Sequence, residues 1–297
     1  MRKNKLQFWV LLLLLLLSLQ SCIILPPDEL GTSAETTTQK PQPQPPAENP
    51  ILTYYQGVVY TYSAQGINES RLTTELSDDY LLLMNKIYTL GENYVPKSMI
   101  TLTCPTHYGE ELSLEVRAAW ALDEMYREME ADGITGLMVT SAYRSYTYQE
   151  WLFNEYVRKE QNTISDEAIA FLGEEYIRSE YLDAGKTGLS YNDAKRVVQS
   201  YSAKPGTSEH QTGLCVDFIT DDMNNKLTVA FENTEEFAWL SANAYKFGFI
   251  LRYPKDKEDV TGYSYEPWHY RFVGREAATN MYFSGLTLEE YLAVAQK

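Results

Sequence analysis

Only three histidines occur among 297 residues: His107, His210 and His269. His210 sits in a glycine-bounded loop, 205–213, and seven residues later comes Asp217, between Val216 and Phe218. A carboxylate inside an apolar strand is costly unless it is paired or binds a metal. His269 lies in the aromatic run Tyr265-Glu266-Pro267-Trp268-His269-Tyr270. Two imidazoles and one carboxylate can hold Zn²⁺ at about 2.0–2.2 Å and leave a fourth position for water. That open position separates a catalytic site from a structural one. Each residue alone also has a plainer reading. A His among aromatics often only makes a structural hydrogen bond, and Asp217 could be the buried partner of an Arg. No His-Glu-x-x-His helix is present, so spacing leaves both readings open. His107, beside Cys104 and Pro105, reads as structural.

The elements that must position these residues follow from pattern and punctuation. Residues 114–131 read as a helix, with Ser113 as N-cap and Asp132-Gly133 as the stop. Residues 137–140 form a short strand leading into Ser141-Ala142-Tyr143-Arg144-Ser145, and a helix follows over 146–159. An acidic helix is expected over 165–182 with Ser165 as its cap. Residues 214–219 form a strand that carries Asp217, and Cys215 falls on the same face two residues earlier. Thr234 caps a helix to about residue 246 with Gly248 past its end, and 249–253 is a strand. Thr287 and Glu290 form a capping box for the last helix. Helices and strands mix without regular βαβ alternation, so the fold class is α+β, a small and mainly antiparallel sheet packed against helices.

Composition bounds the function. A hydrophobic fraction of 44% fits a globular chain with a core. There are 25 basic and 41 acidic residues, a net charge of −16, which disfavours nucleic acid as a partner. Arg2, Lys3 and Lys5 precede an apolar run over 8–19, the layout of a secretory signal at 1–21. Leu19-Gln20-Ser21-Cys22 resembles a bacterial lipobox, with Cys22 as the lipidated residue, although Gln20 is unusual there. Residues 22–52, rich in Pro, Thr and Gln, read as an extended tether behind a membrane lipid anchor. The remaining span, 53–297, reads as the folded domain that the tether carries. Cys104 and Cys215 either pair in that exported domain or stay separate as buried thiols.

Three separated blocks carry a family resemblance. Ser141-Ala142-Tyr143-Arg144-Ser145 with Gln149, Ser208-Glu209-His210 through Asp217, and Glu266-Pro267-Trp268-His269 occur in the order found in VanY-type D-alanyl-D-alanine carboxypeptidases. That zinc-peptidase group also includes L,D-carboxypeptidases and VanX-type dipeptidases. The resemblance spans about residues 80–275. Against it, 160–190 stands out as a longer helical stretch, read as an insertion.

The resemblance implies one Zn²⁺ ion held by His210, Asp217 and His269, with Glu266 as general base. It points to Arg144 as the group that stabilises the oxyanion, a role suited to a fixed guanidinium. It further implies substrate contacts from Gln149 and Ser208, and Trp268 is a candidate wall of the cleft. Glu266 and His269 are three apart, so in an ideal strand they would face opposite ways. The backbone through Pro267-Trp268 is therefore expected to bend. The implied activity is removal of a terminal D-alanine from peptidoglycan stem peptides. Its rivals are an L,D-carboxypeptidase acting on tetrapeptides and a non-catalytic, zinc-stabilised wall-binding module. Retention of Glu266 and Arg144 disfavours the module.

Overall fold

The computed structural model describes residues 54–72, 77–223 and 226–295. The expected signal, Cys22 and the tether lie outside the described residues. Four short strands form an antiparallel sheet in the order β3-β4-β6-β5: β3 (Met138–Ser141), β4 (Cys215–Ile219), β6 (His269–Phe272) and β5 (Phe249–Leu251). A second, two-stranded sheet pairs β1 (Met99–Thr101) with β2 (Ser113–Glu115).

Strand alternation divides the larger sheet into two unlike faces. Val139, Val216, Phe218, Tyr270, Phe272 and Phe249 enter the main apolar core. Register puts Asp217 opposite His269, Cys215 opposite Arg271, and Ser141 opposite Asp217 after a shift in β3. Directly paired residues share a face, so chemistry-bearing side chains line the second face. All five residues of β4 are buried, which is why that strand shows no polar side in the sequence pattern.

The core face is covered by α1 (Val116–Ala131), which buries Ala118, Leu122, Met125 and Met129 at helical spacing. Its cap corrects the sequence expectation. Ser113 belongs to β2, and Glu115 caps the helix by accepting from the amides of Arg117 and Ala118. The stop is as expected, with Asp132 at the C-cap and Gly133 at φ 84°.

The helix α2 (Tyr146–Asn162) starts behind Ser145, whose hydroxyl accepts from the Tyr148 amide. Beyond it the expected single helix over 165–182 is broken. α3 (Asp166–Leu172) ends at Gly173 (φ 91°), and α4 (Glu174–Ile177) runs into a π-helical turn, Arg178–Leu182. A further helix, α5 (Tyr191–Tyr201), was not expected. Its N-cap Ser190 accepts from the Asp193 amide, a local Ser-x-x-Asp signal. These helices share a second apolar cluster with α2, including Phe153, Val157, Tyr181, Val197 and Val198.

Thr234 caps α6 (Glu235–Asn243), and a 3₁₀ turn carries the chain to Gly248. After α7 (Glu258–Thr261) and β6 comes α8 (Arg275–Ser284), then α9 (Leu288–Ala295). The capping box at α9 forms: the Thr287 amide donates to Glu290 at 2.9 Å, and the Glu290 amide donates to the Thr287 hydroxyl at 3.3 Å.

Candidate active site

His210 is delivered by a 3₁₀ turn, Glu209–Thr212, that ends on Gly213 in the left-handed region (φ 68°). A Cβ at Gly213 would also come 3.0 Å from Met99 Sδ and 3.1 Å from Pro96 Cγ. Glycine thus satisfies both the dihedral and the space there. The turn folds His210 back over β4, where Asp217 projects from the strand.

Asp217 then touches both imidazoles. Its Oδ2 lies 3.1 Å from His210 Nε2, and its Oδ1 lies 2.9 Å from His269 Nδ1. The far nitrogen of each ring is tied back. His210 Nδ1 donates to the Ala142 carbonyl at 2.6 Å, and Glu209 Oε2 lies 3.4 Å from His269 Nε2. The two rings stand nearly perpendicular, 87°, with centroids 5.2 Å apart. Such outer contacts fix tautomer and ring direction, and so leave His210 Nε2 and His269 Nδ1 facing the common point.

The electrostatics follow from burial. Burial works against ionisation of Asp217, but His210 and His269 outweigh it and hold the carboxyl well below the usual range. Burial lowers proton affinity at His210, as does Arg144. Cys215 and Asp217 reverse this and raise it to about 9. Cys215 feels burial upward and the two imidazoles downward, and settles at about 7.

The bend expected before His269 is present. The His269 amide donates to the Glu266 carbonyl at 3.2 Å, closing a turn through Pro267 and Trp268, and the Glu266 amide donates to Tyr253. Glu266 Oε2 thereby comes within 3.7 Å of His269 Nδ1. Burial, assisted by the Asp217 charge, pushes Glu266 up to about 7 against the opposing pull of His269.

Arg144 is attached to the same loop, its amide donating to the His210 carbonyl at 3.1 Å. Its buried Nε has no hydrogen-bond partner. Gln149 is buried; its Nε2 donates to the Ala203 carbonyl at 2.7 Å while Oε1 has no partner. Ser208 is buried at the head of the His210 turn. Trp268 is partly buried and packs on the main core. His107 stands apart beside Thr140, stacked on Tyr108. Cys104 and Cys215 are both free thiols, so no disulfide joins them. A cavity of about 540 Å³ beside Cys104, lined partly by Arg71, Asp123 and Tyr126, contains none of these site residues.

Glu209 has a role that its sequence context does not announce. It is a buried anion whose Oε1 accepts from Arg252 Nε at 2.7 Å and from Arg271 Nη1 at 2.8 Å. Burial opposes its ionisation, and the two guanidiniums override that, holding it far below the carboxylate range. Arg252 is also paired with Glu289, and Arg271 Nη2 donates to the carbonyls of Tyr80 and Leu82. The sequence shows only an Arg inside each of two apolar runs, 249–253 and 270–273, with nothing to mark Glu209 as their partner.

The donor set fits a zinc ion. Two imidazole nitrogens and a carboxylate converge, their rings are oriented from behind, and a further carboxylate stands close by without entering the cluster.

The pattern of the VanY family, D-alanyl-D-alanine carboxypeptidase, matches residues 111–275. YodJ of Bacillus subtilis (strain 168), a carboxypeptidase by assignment, is 34% identical over 228 residues, 76% of this chain and 71% of YodJ. A D-alanyl-D-alanine carboxypeptidase of Enterococcus faecalis is 38% identical over 195 residues, 63% of this chain and 61% of that protein. Among solved structures, the LdcB LD-carboxypeptidase aligns with a TM-score of 0.57 at 32% identity, covering 76% of this chain and 96% of LdcB. A VanY D,D-pentapeptidase variant in complex with Zn(II) aligns at 0.53 and 33% identity, covering 72% and 99%. VanYB in complex with D-alanine-D-alanine aligns at 0.53 and 34% identity, covering 72% and 97%.

Proposed function

The chain belongs to the VanY family of D-alanyl-D-alanine carboxypeptidases, and from that premise we propose that it is a zinc-dependent D,D-carboxypeptidase removing the terminal D-alanine of peptidoglycan stem peptides. One observation carries the reading: His210 Nε2, Asp217 and His269 Nδ1 converge, with Glu266 Oε2 only 3.7 Å from His269 Nδ1. His210, Asp217 and His269 would hold a single Zn²⁺. Held there, such an ion would supply an acidified water and a Lewis acid for the scissile carbonyl.

The chain's own residues supply the rest. Glu266 takes the proton of the attacking water, and its raised proton affinity suits that exchange near neutrality. The same carboxyl then protonates the leaving amine of D-alanine. Arg144 meets the negative charge that develops on the carbonyl oxygen, and its unpartnered Nε is consistent with a group reserved for substrate. Gln149 Oε1, likewise unpartnered, is a candidate acceptor for a peptide N–H. Burial of Ser208 and the core packing of Trp268 give those two residues weaker claims on substrate.

The likeness to LdcB supports a second reading, cleavage of the L,D bond of tetrapeptides. Released D-alanine, measured on pentapeptide and tetrapeptide with and without chelator, separates the two. Chelator-sensitive release from pentapeptide supports the first reading, and release from tetrapeptide alone supports the second. No release from either would overturn both. We also propose that the domain acts outside the membrane, exported by 1–21 and anchored through a lipid on Cys22. Incorporation of labelled fatty acid that is lost in Cys22→Ala tests this.

A further inference from the structure

The proposed ligands leave one potential donor at the centre unused. Cys215 projects from β4 on the face of Asp217, and its Sγ joins the ring nitrogens of His210 and His269 in a set whose atoms all lie within 4.8 Å of one another. Both imidazoles therefore lie beside the thiol. It is fully buried and forms no disulfide.

A buried Cys often serves simply as a small apolar side chain. The surroundings here argue otherwise. The apolar side of β4, Val216 and Phe218, faces the main core, whereas Cys215 faces two imidazoles and pairs across the sheet with Arg271. A methyl group would fill a packing role at this position without placing a sulfur beside two imidazoles. Zinc–nitrogen and zinc–sulfur bonds of about 2.0–2.1 and 2.3 Å in a tetrahedron put N and S about 3.6 Å apart. With all its atoms within 4.8 Å of one another, the cluster exceeds that spacing by at most about 1.2 Å.

We propose that Cys215 Sγ is a fourth protein donor to the metal, making the donor set His₂-Asp-Cys. This rests on the zinc reading of the site. Binding converts the thiol to a thiolate, with its proton released to solvent. The hydrolytic water would then enter as a fifth donor, a coordination number that catalytic zinc sites can reach. A soft donor also biases the site toward thiophilic ions such as Cd²⁺.

The test uses the full chain, stripped of metal and loaded with one equivalent of Co²⁺. A near-ultraviolet sulfur-to-cobalt charge-transfer band is expected in the unaltered protein and in Cys104→Ala. It should vanish in Cys215→Ser and Cys215→Ala, whose folding is checked by circular dichroism. In Cys215→Ser the preference for Cd²⁺ over Zn²⁺ should also fall about tenfold or more. One bound Co²⁺ without the band, or a band persisting in Cys215→Ser, overturns the sulfur donor and leaves the zinc site standing. Failure of the unaltered protein to bind Co²⁺ or Zn²⁺ overturns both.

Discussion

Glu209 is expected to be a keystone, and Glu209→Gln tests this most directly. The substitution keeps the side chain's shape while removing the anion between Arg252 and Arg271, both fully buried. The two cations are not equally exposed to the loss. Arg252 keeps its two-bond pairing with Glu289, whereas Arg271 retains only the carbonyls of Tyr80, Leu82 and Phe272. The stranded charge is therefore Arg271. Removing one partner of a buried pair costs about 3–5 kcal/mol. Neutral acceptors for Arg271 place the expected loss near the lower end, about 3 kcal/mol. Urea unfolding in chelator, which removes metal linkage, reads this out. For a slope of about 2 kcal/mol/M the midpoint should drop by about 1.5 M. Glu209→Gln/Arg271→Met removes both charges and should recover much of the loss. A single-variant cost below about 1 kcal/mol, or a double variant as damaged as both singles combined, would refute the reasoning. Separately, the freed His269 Nε2 should weaken metal affinity about 10–100-fold.

Four other outcomes are expected. Glu266→Gln should lower turnover about 10²–10⁴-fold while metal content, measured by atomic emission, stays constant; unchanged turnover would remove Glu266 as base. Arg144→Ala should cost about 10²–10³-fold in kcat, and a rise in KM alone would instead make it a ground-state binder. Any Cβ at Gly188 would press into the Gln161 carbonyl, so Gly188→Ala should destabilise by about 1–3 kcal/mol, seen as faster amide exchange in α2 and α5. Asp193 accepts hydrogen bonds from Tyr181, Tyr176 and Arg196 that overcome burial and lower its pKa. Its folded value lies below an unfolded value of about 3.9, so its contribution is fully present above that pH and is lost as pH falls further, through the lower folded value. Asp193→Asn should flatten the acid limb of stability for the α2–α5 cluster, and an unchanged limb would count against this.

The parts of the fold visible in the sequence were those governed by local chemistry. Thr234, Ser165 and the Thr287–Glu290 pair are caps whose hydrogen bonds close within one turn, and each appears where its residue type demands. Ser113 misled because its neighbours pair with a strand over Met99–Thr101, a non-local contact that outcompetes a cap signal. Gly173 split a helix that acidic composition made look continuous. The nearness of Glu266 to His269 was inferable from Pro267 and three-residue spacing. By contrast, Glu209 gained its partners only through β5 and β6, some forty to sixty residues away, and no local pattern announces such a pairing. Cys215 was placed correctly on the strand face, but its approach to both imidazoles depends on how the His210 turn folds back.

The origins of the site residues bear on what can vary within it. Asp217 and His269 are directly paired strand residues, and His210 is fixed by a glycine-dependent turn and the Ala142 carbonyl. Moving any one of them means shifting the sheet register or breaking the Glu209–arginine network behind it. Gln149, a proposed substrate contact, sits instead in the first turn of α2 and is bonded to Ala203 just beyond α5. Both helices pack in the second apolar cluster, separate from the core under the sheet. Substitutions among those helices can therefore re-aim that substrate contact at little cost to the metal donors. On this argument, the choice between D,D and L,D bonds lies on the helical side, and exchanging 146–201 for the equivalent segment of an L,D-carboxypeptidase should change substrate preference while metal affinity is retained. Loss of metal affinity in such a chimera would show that the two halves are not separable.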